Sequence, residues 1–448
     1  MAKSSLGKRA IVIGAGIGGL TAAGALAGFF DTVTVLERDP LPAGPEHRAG
    51  TPQDLHLHVL LGGGLDALSE LFPELGRDLV SAGAVAFRTG FDVRMERPGY
   101  DPFPQRDLGW TGYAMSRPLS EFVVRQRVMK CQNVTIRDGC RVTQLVPTPD
   151  GGTIAGVRLQ NRSGIEEMLA ADLFVDASAR GVLTEKLLES LGQPMPEESR
   201  VGIDMGYSTA LFAIPPDAPT DWKGVITFPS APRTSQGAFL MPMEGNRWVV
   251  SLGAAHAEKM PANADEFLAF TRELRTQTVF EAIRGATRLS EIYRFGFPAS
   301  IWRHFERLEH FPRGLLVSGD AICRFNPVHG QGMSVAAQEA CLLRRVLADC
   351  SPEPDALSLL AKRFFHDVAA LIETPWASAA IPDFIYAKTA GHRPADFEKS
   401  LQFGAALAEL AFRDPAVHKL MMEVQHLRKP RSVYRDPQLV QRVLQLRP

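Results

Sequence analysis

The chain has 448 residues, 45% of them hydrophobic and 22% charged, with a formal net charge of −1. That length predicts two or three packed regions, and the near-average composition excludes wholesale disorder. The balanced charge provides no field to draw in nucleic acid or an anionic membrane surface, and no stretch reaches the ~20 apolar residues that a membrane helix needs.

The N-terminal stretch Met1–Ala10 is short and basic, and glycines break the apolar run behind it, which predicts a buried strand rather than a signal peptide. The strand is Arg9-Ala-Ile-Val-Ile, and it leads into Gly14-Ala-Gly16-Ile-Gly18-Gly19 and then a helix-forming run from Leu20. Gly14, Gly16 and Gly19 have the spacing of a dinucleotide-binding turn. The first glycine makes the turn, the second admits a pyrophosphate to the backbone, and the third packs helix on strand. A second strand, Thr32–Leu36, ends in Glu37 and Arg38. Glu37 stands roughly 20 positions past the last glycine, where an acid meets a ribose hydroxyl. The order strand, glycines, helix, strand, acid predicts dinucleotide binding without choosing between FAD and NAD.

Next come Arg48-Ala-Gly50, the run Thr51-Pro-Gln-Asp-Leu-His56-Leu-His58 that continues to Gly64, and Ser116-Arg117-Pro-Leu. In an extended segment His56 and His58 point to one face, beside Gln53 and Asp54. They either orient a substrate and supply a proton, or are structural histidines bonded to backbone; the residues leave both open. No third ligand makes them a metal site. Short β-rich runs follow at Tyr207–Ile214 and Gly224–Phe228. A hairpin is predicted from Gln236–Met243 and Arg247–Leu252 around Glu244-Gly-Asn246. Phe228, Phe239, Phe295 and Phe297 are expected in the strand core, with an apolar pocket as the alternative. A helix is predicted from Ala262 to Arg284.

The segment Pro312–Asp320 reads as a strand ending in Gly319-Asp320. After it come Pro327-Val-His329-Gly330-Gln331-Gly332-Met333 and a helical run from Ser334. Such a loop presents several N–H donors to one planar acceptor. His329 is expected to face solvent or another helix. Beyond Arg345 the chain reads as helical, broken at Pro375, Pro382 and Pro394. The five cysteines, Cys131, Cys140, Cys323, Cys341 and Cys350, are scattered and lack metal-ligand spacing. They predict no disulfide framework and a cytoplasmic location.

The pair Gly319-Asp320 with Pro327-x-x-Gly330-Gln331-Gly332-Met333 resembles the second FAD motif of the aromatic hydroxylases and squalene-epoxidase-like flavin monooxygenases. Arg48-Ala-Gly50 and Ser116-Arg117 resemble further motifs of that family. Thr51–Gly64 and Asp204-Met-Gly-Tyr-Ser-Thr resemble a bacterial subset that includes polyether-type epoxidases. The resemblance covers nearly residues 1–345. It implies a Rossmann-like α/β FAD domain of the para-hydroxybenzoate hydroxylase type (1–75, 110–185 and 290–345), an antiparallel-sheet substrate domain (76–109 and 186–289) and a helical C-terminal region (346–448). It also implies that Arg48 and Arg117 reach the cofactor, that Asp320 binds the ribityl chain, and that the Gly330–Met333 backbone faces the flavin ring. The implied chemistry is transfer of one oxygen atom of O2 to an apolar organic substrate through a C4a-hydroperoxyflavin, with NADH or NADPH as a transient reductant. One family signature is altered: in Asp176-Ala-Ser178-Ala179-Arg180-Gly181-Val182 the expected glycine is Ala179 and the expected serine is Val182. A flavin halogenase, a reductase of isoprenoid double bonds and a non-catalytic flavoprotein are the competing readings. The isolated Trp222, Trp248 and Trp302 argue against the halogenase.

Overall fold

A computed structural model of the chain describes all residues except 1–5, 258, 352, 354, 447 and 448. The first half of the basic Met1–Ala10 stretch therefore lies outside the described residues. The first predicted strand forms Gly7–Ile13, and its last four side chains are buried. Such a strand needs cover on both faces. It finds that cover at the centre of a five-stranded sheet ordered Leu315–Val317, Leu173–Asp176, Gly7–Ile13, Phe30–Leu36 and Val134–Arg137, every pair parallel. The helix Ile17–Leu26 crosses from the central strand to its neighbour, as a parallel pairing requires.

A larger sheet of eight strands forms the second region. Its order is Cys323–Arg324, Tyr293–Arg303, Glu198–Ala213, Arg247–Ala255, Gly237–Met243, Gly224–Thr227 and Val93–Glu96, with Ala390–Gly391 pairing on the third. The predicted hairpin is present, and Gly245 and Asn246 both have positive φ (77° and 53°), which matches the twist of a tight hairpin turn. One pairing differs from the antiparallel expectation: Gly224–Thr227 runs parallel to Val93–Glu96, so the sheet is mixed. Tyr293–Arg303 pairs with the long Glu198–Ala213 strand. The segment 290–345 thus serves the larger sheet before Leu315 returns it to the smaller one.

Two helical expectations are corrected. The helix read across Ala262–Arg284 is two helices, Ala264–Arg272 and Thr278–Ile283. The break between them lets Thr276 and Thr278 donate to the buried Glu96 carboxylate. Pro375 does not break the C-terminal region; it sits inside Leu360–Ala379. Ile372, Trp376 and Ala379 are buried around it, and that packing outweighs the one backbone bond a proline removes. Pro382 lies in a short 3-10 turn, and Pro394 precedes the helix Phe397–Arg413.

Side chains on the larger sheet alternate between two environments. Trp222, Trp248, Val250, Leu252, Phe267 and Val279 pack the outer face under the two short helices. The inner face carries Leu211, Ile226, Phe228, Met241, Met243 and Val249. It meets Leu57 and the C-terminal helices Phe397–Arg413, Pro415–Gln425 and Pro437–Leu444. The four phenylalanines read from sequence divide here. Phe297 is buried, whereas Phe228, Phe239 and Phe295 are half-buried.

Candidate functional site

The glycine turn has the geometry its spacing predicts. Gly14 adopts φ +104°, and a Cβ there would stand 2.7 Å from Ala177 O. A Cβ on Gly19 would lie 1.8 Å from Gly14 O, closer than any real contact. Gly19→Ala is therefore expected to open the turn and lower bound flavin per mole of protein roughly tenfold or more. Flavin absorbance of the purified variant checks this. Gly16 is the N-cap of the Ile17–Leu26 helix and has no side-chain cap, so the helix N-terminus faces the cleft with bare amides.

Glu37 is buried and ties the turn to the second strand: Oε2 accepts from Ala15 N at 2.7 Å and Oε1 from Asp39 N at 3.0 Å. Arg48 is also buried. Its Nε donates to Glu121 at 2.9 Å, and its Nη1 lies 3.1 Å from Asp39 and 3.3 Å from Glu37. The three acids hold the guanidinium protonated above its ordinary range despite burial. Arg38 stays at the rim, 63% exposed and 3.7 Å from Asp39. Arg117 opens the helix Arg117–Met129, which Ser116 caps by accepting from Leu119 N. Its Nη2 is 4.0 Å from where a Cβ on Gly16 would stand.

The two sequence signatures, some 300 residues apart, touch in space: a Cβ on Gly18 would be 3.9 Å from Gly319 Cα and 3.7 Å from Ala336 Cβ. Gly319 turns at φ +69°, and beneath it Glu339 accepts from Gly319 N (2.7 Å) and Ser318 Oγ (3.0 Å). Glu339 is fully buried, which pushes its pKa up to about 7. Sequence reading missed this acid because nothing in the helical run from Ser334 separates it from a surface glutamate. Asp320 lies over the start of the Gly332–Cys350 helix, its Oδ1 3.6 Å from where a Cβ on Gly332 would stand. Desolvation raises its pKa, while Arg117 and Arg324 oppose the shift. Pro327–His329 forms a 3-10 turn closed by Gly330 at φ +65°. Met333 packs against the core.

Asn326 anchors that loop. Its N donates to Ser300 Oγ (3.0 Å), its Oδ1 accepts from Tyr207 Oη (2.8 Å), and its Nδ2 donates to Asp383 Oδ2 (3.1 Å). Asp383 also faces His329 Nε2 at 3.7 Å. His329, its side chain 27% exposed, thus meets an acid of the short 3-10 helix Ile381–Ile385, the helix contact that was one of its two expected surroundings.

His56 and His58 part company. His56 Nδ1 is 2.8 Å from Thr209 Oγ1, which is 2.8 Å from Ser251 Oγ, and its ring lies 5.7 Å from Phe295. Burial lowers its pKa to about 4. His58 Nδ1 bonds to His56 O at 3.0 Å, the local backbone bond foreseen as one reading. Burial, then the nearby Arg117 charge, lowers it to about 3. In the altered signature, Asp176 accepts from Ser178 Oγ (2.5 Å) and Thr184 Oγ1 (2.7 Å). Ala179 sits at φ +66°, where glycine is easier by ~1 kcal/mol, and Val182 points outward, 43% exposed.

The cleft carries polar atoms that a bound FAD would engage. Arg117 Nε and Gln331 Oε1 are buried without a partner. One is a donor beside the bare Gly16 backbone and the other an amide in the loop expected to face a flavin ring. A buried polar atom without a partner calls for a missing one, and the residues present fit FAD.

Residues 8–360 match the family model for an FAD binding domain. The chain is 37% identical over 351 residues to Protein Rv3254 of Mycobacterium tuberculosis, covering 75% of this chain and 72% of that protein. Among solved structures it resembles the flavin-dependent brominase Bmp2 (TM-score 0.64, 15% identity, 93% of each chain). It also resembles PqsL, a probable FAD-dependent monooxygenase from Pseudomonas aeruginosa (TM-score 0.61, 17% identity, 85% of this chain and 98% of that one).

Proposed function

The chain belongs to the FAD binding domain family, and from that premise we propose that it is a monooxygenase. It would transfer one oxygen atom of O2 to an apolar organic substrate, by epoxidation or hydroxylation, with NADH or NADPH as reductant. The observation that carries this reading is the inner face of the larger sheet, where half-buried aromatic and aliphatic side chains adjoin a neutral histidine next to the cofactor cleft. Bound FAD would supply the redox chemistry and the activated oxygen.

The chain's own residues then divide the work. The Gly14–Gly19 turn, the helix amides and Arg117 would hold the pyrophosphate, Glu37 the ribose, and Asp320 the ribityl side. The Gln331–Met333 amides, at the N-terminus of the Gly332–Cys350 helix, would stabilise negative charge on a flavin ring bound there. His56 is uncharged at neutral pH, so it orients by hydrogen bonding through Thr209 and Ser251. An epoxidation needs no protein base on the substrate. The stacked Trp222–Trp248 pair (6.0 Å) lies on the outer face, away from this surface, and offers no support for halogenation.

Because His56 is neutral well above pH 4, kcat/KM is expected to be flat between about pH 6 and 8 with respect to this residue. An inflection near the ordinary histidine value that disappears in H56Q would contradict its role. The reaction itself is tested with isotopically labelled O2. One labelled oxygen in the product, with O2 uptake matching NAD(P)H oxidation, is the expected result. Substrate turnover without O2 uptake would make the chain a reductase, and protein that cannot be reconstituted with FAD would end the proposal.

A further inference from the structure

One row of residues crosses the inner face strand by strand: Thr209, Ser251, Phe239, Ile226 and Met95 are successive cross-strand neighbours. At ~4.8 Å per strand the row spans about 19 Å from the His56–Thr209 contact to the edge strand. It offers hydroxyls at one end and apolar groups beyond. Phe228 and Arg97 stand two residues past Ile226 and Met95 and so share that face.

Arg97 closes the far end of the row. Its guanidinium carbon lies 4.5 Å from the Phe228 ring centroid and 5.8 Å from that of Phe103. Its Nη2 makes a long 3.4 Å bond to Gln425 Oε1, and its Nε is buried with no partner. Among the described residues no carboxylate pairs with it. Glu96 is taken up by Arg94, Thr227 and Thr278, and Asp101 by Arg275. Burial pulls its pKa down to about 10, with no acid opposing the shift. Against the same Phe103 ring, at 4.9 Å, lies His418. Its Nδ1 faces Arg106 at 3.4 Å, and its Nε2 is likewise buried and unpartnered. A cation removed from water without an anion destabilises a fold. Here two nitrogens in one region lack an acceptor, at the end of a row of apolar side chains beneath the C-terminal helices.

We propose that Arg97 binds the anionic end of the substrate, which is therefore a long apolar acid carrying a terminal carboxylate rather than a neutral hydrocarbon. The inference rests on the reading that the inner face is the substrate surface. Its reacting end would lie toward His56 and its carboxylate at the edge strand, in a bidentate geometry that favours arginine.

The test is titration of the FAD-loaded protein with dodecanoate and with dodecan-1-ol, followed by calorimetry and flavin absorbance. Wild type is expected to bind the acid at least about tenfold more tightly than the alcohol. R97M should remove that preference. Q425E, which supplies a protein carboxylate to the same guanidinium, should also remove it while leaving Arg97 in place. Should R97M fail to fold, Q425E decides alone. Equal affinities in wild type, no binding of either compound, or a preference that survives Q425E would overturn the proposal. The oxygen-transfer reading fails separately. A preserved carboxylate preference without labelled product would leave Arg97's role standing, and labelled product without the preference would remove it alone.

Discussion

Replacing Arg48 with methionine is expected to destabilise the protein by about 3–5 kcal/mol, because it removes the one cation shared by all three acids of the cluster and leaves only the 3.7 Å contacts of Arg38 with Asp39 and of Arg117 with Glu121. Glu37 and Glu121 are 5% and 6% exposed, and Asp39 reaches the same guanidinium. With Arg48 gone, the three carboxylates face one another in a poorly solvated site. Glu37 also accepts the Ala15 N–H of the glycine turn, so repulsion there would disturb the surface that receives the cofactor. Urea unfolding of wild type and R48M measures the loss. Adding Glu121→Gln to R48M should recover part of it, since the two sites are directly coupled. A loss below about 1 kcal/mol would show that the cluster relaxes into solvent, against the burial described above.

The second large effect is acid sensitivity. His56, His418 and His426 have pKa values lowered to about 4, and His58 to about 3, each chiefly by burial. A histidine with a depressed folded pKa adds stability above its ordinary value of 6.5 and loses it as pH falls toward the folded value. In that window the unfolded chain takes up protons that the folded chain refuses. Stability is therefore expected to fall from about pH 6.5 to pH 4, by up to ~1.4 kcal/mol per pH unit for each histidine. His418, only 1% exposed, should account for about 3 kcal/mol by itself. Urea midpoints across this range test the slope, and H418F should flatten it by about one proton. A stability profile level from pH 7 to 4.5 would mean these rings are solvated.

What could be read from the sequence was what the chain keeps contiguous. The turn from Gly14 to Glu37 and the loop from Gly319 to Met333 each carry their geometry in local spacing, so strand, turn and helix follow from a short window. The rest depends on distant partners. His56 was visible, but its hydrogen-bond partner Thr209 lies 153 positions away on the larger sheet. Nothing in Ala380–Ile385 marks Asp383 as the residue that clamps Asn326. His426 accepts from Gly62 N at 3.2 Å and, through its carbonyl, from Gly63 N at 2.7 Å, across more than 360 positions. The broken helix near Thr276 and the unbroken one through Pro375 were misread for the same reason, since tertiary partners outweighed local propensity. Ala179 is the converse case. The sequence showed an expected glycine missing, and the backbone still takes the left-handed turn.

The C-terminal region has a dual attachment. Asp383 holds the loop expected beside the flavin, while the helices from Phe397 onward cover the inner sheet face near Arg97. One segment thus borders both the cofactor cleft and the proposed substrate surface, and its free energy of docking is common to both. Reciprocity then fixes a constraint that neither site shows alone: whatever factor bound FAD adds to the affinity for substrate, bound substrate must return to FAD.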